Sequence, residues 1–149
     1  MTDTQHITAK EYLQQVKNID YQLKNIEDEV RQLQSEIITV RSAWPDGQPH
    51  GTGTSDPVGN TASKLADKLG ALEQKHNDMM LKLWIKRAEI VRTLSEMPHA
   101  EYKRLLYLRY VKLQMWEQIA VDMHYTYQWV AGSLHSNALE ELQQILDRN

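Results

Sequence analysis

Two long segments of this chain carry an unbroken heptad pattern of apolar residues, and this pattern constrains the fold more than any other feature. Residues 8–42 and 61–97 contain no proline and one glycine, Gly70. In the first segment, steps of four and three residues alternate through Tyr12, Val16, Ile19, Leu23, Ile26, Val30, Leu33, Ile37 and Val40. The second segment repeats the alternation at Ala62, Leu65, Leu69, Leu72, His76, Met79 and Leu83. This spacing is typical of coiled-coil helices.

The stretch between these segments predicts a flexible loop. Residues 45–60 hold three of the four prolines and four of the six glycines. Two helices joined in this way can fold back as an antiparallel hairpin. A register that pairs Val30 with Leu72 also brings Glu29 near Lys75 on the flank, as oppositely charged coiled-coil positions require. Parallel dimerisation through either segment is the alternative arrangement.

A row of basic residues also repeats every seven positions along the first helix. It consists of Lys10, Lys17, Lys24 and Arg31. Such a row is either a solvated helix face or a track for a phosphate backbone, and the spacing permits both interpretations.

The segment after Pro98 predicts three short helices around a helix-turn-helix. The first contains Tyr102 to Tyr110, a break follows at residues 113–115, and the second runs from Trp116 to Met123. Thr126 is a favourable N-cap for the third helix. That third helix keeps five apolar residues on one face: Val130, Leu134, Ala138, Leu142 and Ile145.

The residues around the predicted turn fit the helix-turn-helix motif. Ala120 is small enough for two helices to cross closely, and His124 occupies the turn position where glycine is usual. Histidine tolerates the left-handed conformation better than a branched residue does. The side chains that should hold the crossing together are Ile119, Met123, Tyr125 and Val130. Packing of three helices without any DNA binding is the alternative interpretation.

The sequence LRYVKLQMWEQIAVDMHYTYQWV, which begins at Leu108, resembles region four of bacterial sigma factors. It is similar to the sigma-like regulators encoded by phages and prophages of Gram-positive bacteria, including the RinA and ArpU late-gene activators. The matching residues are Leu108 to Tyr110, Trp116 to Ala120, the turn at His124 to Thr126, Val130, Leu134, His135, Ala138 and Leu139. The resemblance implies binding to double-stranded promoter DNA and contact with RNA polymerase, without catalysis.

Placing Ala120 in the motif predicts which residues face DNA. The groove-facing side of the third helix would present Thr126, Tyr127, Gln128, Ala131, Gly132 and His135. Gln128 is suited to pair with adenine, and Ala131 to touch a thymine methyl group. Phosphate contacts would come from Lys103, Arg104, Arg109 and Lys112, because residues 126–146 contain no Lys or Arg. For Arg109 the alternative is a structural role through an acidic partner.

Composition excludes several other classes of protein. The chain has 149 residues, a formal charge of −3 and no cysteine, which rules out disulfides, thiolate zinc sites and cysteine nucleophiles. The sequence contains no run of roughly 18 apolar residues, so it predicts no membrane span. We expect a cytoplasmic location. We find no residue constellation for catalysis, a cofactor or a metal. The balanced charge hides one basic stretch, residues 99–112, with four basic residues and one acidic residue.

These observations predict an all-α protein with two parts. Residues 1–97 would form the long antiparallel hairpin with its loop at about 45–60, and residues 98–149 a small sigma region four-like helix-turn-helix module. The hairpin would supply homo-oligomerisation. The rival hypothesis is a non-enzymatic coiled-coil interaction protein or structural phage protein that does not bind DNA.

Overall fold

The computed structural model describes residues 7–43 and 57–149, and within these ranges every regular element is helical. Helix α1 spans Ala9–Ser42 and helix α2 spans Pro57–Leu94. The predicted loop at 45–60 lies outside the described residues up to residue 56. Its last four residues instead form the first turn of α2. Pro57 suits the first position of α2, because the first N–H groups of a helix have no partner within the helix.

Three shorter helices follow the long pair. Helix α3 spans Ala100–Leu106 and continues into a π-helical turn at Tyr107–Val111. Helix α4 spans Trp116–Met123. Helix α5 covers residues 127–148, with a π-helical turn at Val130–Leu134 inside it. The all-α architecture predicted from the sequence is therefore confirmed, with the long helix pair preceding the short helices.

The described chain divides into two compact units. The first contains residues 7–20 and 82–149, and the second contains residues 21–43 and 57–81. This division differs from the sequence-based boundary at residue 97, because the ends of both long helices pack with the short ones. The backbone N–H of Ala9, for example, donates to the side-chain oxygen of Gln143 at 2.7 Å.

The second unit is an antiparallel helix pair built on the heptad pattern. Leu23, Ile26 and Ile37 are buried. The remaining pattern positions are half-buried, namely Val30, Leu33, Val40, Ala62, Leu65, Leu69, Leu72, His76 and Met79. Nε2 of His76 lies 3.2 Å from Oε1 of Glu27 on the other helix. The predicted register places residue 27 opposite residue 75, so the observed pair agrees with it to within one residue.

The first unit has a continuous apolar core to which all five helices contribute. Its central side chains are at most 2 % exposed, namely Leu13, Val16, Ile90, Leu94, Leu105, Leu106, Leu108, Ile119, Val130, Leu134, Ala138, Leu142 and Ile145. The two long helices are also joined here by a hydrogen bond of 2.9 Å between the hydroxyl groups of Tyr12 and Thr93. The predicted apolar face of α5 is thus confirmed.

The π-helical turn explains how α5 keeps that face buried. Val130, Leu134 and Ala138 are spaced four residues apart, which exceeds the 3.6 residues of an α-helical turn. A π-helical turn holds more residues, since its hydrogen bonds span five positions instead of four. The turn at Val130–Leu134 therefore keeps these side chains in line against the core.

Within the described ranges, no helix combines the length and the apolar character that crossing a bilayer requires.

Candidate nucleic-acid interface

The turn between α4 and α5 has the geometry that the sequence predicts. His124 adopts the left-handed conformation, with φ 59° and ψ 39°, directly after α4. The N–H of Tyr125 then donates to the carbonyl oxygen of Ala120 at 3.0 Å. Thr126 caps α5, since its hydroxyl oxygen accepts from the N–H of Trp129 at 3.2 Å. Both the strained turn residue and the N-cap are confirmed.

The crossing of α4 and α5 is held by most of the predicted side chains. Ile119, Ala120 and Val130 are buried, and Met123 is half-buried. Tyr125 differs from the prediction, because its side chain is 39 % exposed. Its hydroxyl donates to the carboxylate of Glu101 and so ties the turn to α3 from the surface.

One side of α5 near its start is open to solvent. Thr126, Tyr127, Gln128 and Gly132 are exposed, as the DNA-facing prediction requires, and Ala131 is half-buried. A Cβ atom added at Gly132 would meet nothing within 4 Å, which confirms the open space at that position. The first turns of α5 therefore present an open surface on which polar Thr126 and Gln128 stand beside exposed aromatic side chains.

His135 is the exception among the predicted groove-facing residues. It is half-buried, its Nε2 lies 2.6 Å from the Tyr110 hydroxyl, and the Trp116 ring meets it edge-on at 4.7 Å. The π-helical turn just before it rotates the following residues around the helix axis, which a straight-helix projection does not anticipate. The prediction that His135 faces outward is therefore wrong.

The environment of His135 favours the neutral imidazole. Burial is the main cause that lowers the pKa of His135 to about 4, and the positive charges of Lys10 and Arg109 contribute to this shift in the same direction. Burial also raises the pKa of Tyr110, so its hydroxyl stays protonated at neutral pH. The pair is thus uncharged under ordinary conditions and joins α3 to α5.

The four predicted phosphate-binding residues do not form one surface. Arg104 and Lys112 are exposed, whereas Lys103 and Arg109 are half-buried. Lys103 and Arg104 border a cavity of about 320 Å³ between α2 and α3. Arg109 borders a different cavity, next to Ala131 and His135. The sequence therefore predicts that residues 99–112 are basic, but it does not predict where the fold places each of these four side chains.

Arg109 has the structural role that the sequence left open, although its partners differ from the expected acidic one. Its Nη1 donates to the carbonyl oxygen of Gln114 at 2.9 Å. Its guanidinium carbon lies 4.6 Å from the centre of the Trp116 ring, within the range of a cation–π interaction. Arg109 thereby stabilises the break between α3 and α4.

Lys10, Gln14 and Lys17 of α1 line the same cavity as Arg109, Ala131 and His135. The prediction of groove-facing residues from the motif does not include them, because they precede the motif by about ninety residues. The seven-residue row of basic residues was the available signal. It indicated a possible phosphate track on α1 but gave no reason to place it beside the helix-turn-helix.

Among the described residues, no group of three or more histidine, aspartate or glutamate side chains is placed to hold a metal ion. Comparison with protein-family models, curated proteins and solved structures finds no match for this chain.

Proposed function

We propose that this protein is a DNA-binding transcriptional regulator that reads duplex DNA with helix α5. The observation that carries the proposal is the α4–turn–α5 geometry, in which left-handed His124 and capping Thr126 orient a helix with one uncovered side. Helix-turn-helix proteins place the start of their second helix against base edges in the major groove. Gln128 lies in that part of α5 and is exposed.

The distribution of charge also supports DNA as the partner. Helix α5 has no basic residue before Arg148, so it cannot neutralise phosphates near its own start. The first unit compensates with Lys10, Lys17 and Arg109 beside Ala131. Phosphate contacts position a protein on DNA, whereas side chains at the base edges supply specificity. In this proposal α5 reads bases and the other helices hold the backbone.

Selection of duplex sites from a randomised pool, followed by fluorescence anisotropy across a salt series, tests the proposal. We expect enrichment of a specific site and an affinity that falls steeply with salt, because binding releases counterions from the phosphates. Gln128→Ala should weaken binding to the selected site by roughly 10- to 100-fold, the value of one bidentate base contact. Binding to unrelated duplex should be unchanged.

Gln144→Ala is the matched control, since Gln144 is also exposed on α5 but lies sixteen residues further along the helix. It should leave both affinities unchanged. Absence of enrichment together with absence of binding at low salt would contradict the proposal. That result would favour the rival hypothesis of a coiled-coil interaction protein.

A second proposal concerns self-association and rests on an apolar stripe along α2. Trp84 and Ile85 are each 60 % exposed, Val91 is 42 % exposed, and Ala88 between them is also exposed. Antiparallel pairing of two copies about Ala88 would set Ile85 against Val91 and Trp84 against Arg92. The first pair is apolar, and the second suits a cation–π contact.

Contact with RNA polymerase stays a prediction from the resemblance.

A further inference from the structure

The cavity between α1, α3 and α5 combines positive charge with an aromatic wall. Its volume is about 330 Å³. It is lined by Lys10, Gln14, Lys17, Arg109, Tyr110, Leu113, Trp116, Ala131 and His135. Three of these side chains are cationic, and none of these described lining residues is acidic. Lys10, Gln14 and Lys17 follow one another at steps of four and three, so they share one face of α1.

Two of the positive groups converge on the same imidazole. Lys10 on α1 and Arg109 on α3 both act on the imidazole of His135 on α5 and help to lower its pKa. Positive charges on two different helices therefore lie near one ring. An anion bound there would be attracted by both of them.

Arg109 is held in place before any ligand arrives. Its Nη1 donates a hydrogen bond to the Gln114 carbonyl oxygen, and the Trp116 ring lies against its guanidinium group. Because a guanidinium group carries further N–H donors, this arrangement leaves donors for a ligand. A pre-positioned guanidinium loses little freedom on binding, and its planar geometry matches phosphate oxygens.

We propose that this cavity binds a phosphate group, with Lys10 and Arg109 as its main ligands and Gln14 and Lys17 at its edge. The phosphate can come from the DNA backbone or from a free phosphorylated small molecule. In the first case the inference rests on the proposed function and deepens it, because it assigns the backbone contact that α5 lacks. In the second case the inference does not depend on DNA binding.

The test follows the imidazole signal of His135 by NMR during pH titrations of the full chain, without ligand and with inorganic phosphate. The groups that face His135 are Lys10, Arg109 and Tyr110, so a bound phosphate should raise its pKa from about 4. Lys10→Gln should weaken phosphate binding about tenfold, the value of one charge-assisted hydrogen bond. Lys64→Gln should leave phosphate binding unchanged, because Lys64 is an exposed residue of α2 in the second unit.

The same variants are then tested with duplex DNA. If the backbone supplies the phosphate, Lys10→Gln should weaken binding to all duplexes alike and reduce the salt slope by about one. If only binding of inorganic phosphate weakens, the ligand is a free phosphorylated molecule. Arg109 is left intact in these tests because its loss would also release Gln114.

The inference is overturned if phosphate leaves the His135 titration unchanged and Lys10→Gln binds duplex DNA like the wild type. It is also overturned if Lys10→Gln and Lys64→Gln have equal effects. The proposed function is judged separately, since a loss of specific binding in Gln128→Ala would still support DNA recognition after either of these results.

Discussion

At the scale of single residues, His135 departs most clearly from the expectation. Its position in the motif predicts a groove-facing side chain, but the ring lies between Tyr110 and Trp116. Burial and two neighbouring cations keep it neutral. A histidine that must remain uncharged makes the fold sensitive to acid.

We expect His135 to reduce the stability of the first unit as the pH falls. Its folded-state pKa of about 4 lies below the ordinary value of 6.5, so the unfolded chain binds the proton more readily. Its contribution to stability is therefore complete above pH 6.5 and declines between pH 6.5 and 4. Because the ring is only partly buried, we expect a loss of about 1–2 kcal/mol.

Urea unfolding at several pH values measures this effect, and His135→Gln is the comparison. The difference in unfolding free energy between wild type and variant should change between pH 6.5 and 4 and remain constant above that range. A difference that does not vary with pH would contradict the prediction, because it would mean that folding leaves the pKa of His135 unchanged.

At the scale of elements, a turn residue and a capping residue determined where α4 ends and where α5 begins. His124 terminates α4 in a left-handed conformation, and Thr126 starts α5. Both features were predictable because they depend on a few neighbouring residues. The π-helical turns at Tyr107–Val111 and Val130–Leu134 were not predicted. They depend on which side chains the core must align.

Substitutions at His124 test the turn. His124→Val should lower the unfolding free energy by about 1–2 kcal/mol, because a branched side chain is strained at positive φ. His124→Gly should be neutral or slightly stabilising, since glycine adopts this conformation without strain. The His124 side chain is exposed, so neither variant removes packing. Thermal unfolding of both variants provides the measurement, and equal destabilisation would refute the argument.

At the scale of the whole molecule, folding joins residues that are far apart in the sequence. The beginning of α1 and the end of α2 belong to the same compact unit as the helix-turn-helix. The compact unit that contains the helix-turn-helix therefore extends beyond residues 98–149, the range that the sequence suggested for this module. Lys10 and Lys17 become neighbours of α5 only through this arrangement.

The apolar stripe on α2 provides a prediction for the assembled protein. If two copies pair about Ala88, Ile85→Lys should convert a dimer to a monomer, because it would bury a charge in an apolar contact. Lys64→Glu on the same helix changes an exposed residue outside the stripe and should leave the dimer intact. Sedimentation equilibrium measures the mass directly. A wild-type chain that is monomeric at all concentrations would exclude the pairing.

The sequence by itself determined the helical class, the two long helices, the helix-turn-helix and the buried face of α5. These features follow from periodicity and capping, which act between residues a few positions apart. The tertiary structure decided that His135 packs against Tyr110 and Trp116, that Arg109 supports the Gln114 carbonyl group, and that two lysines of α1 lie beside α5. Those outcomes depend on how helices that are remote in the sequence pack together. No local sequence pattern predicts the distances between their side chains.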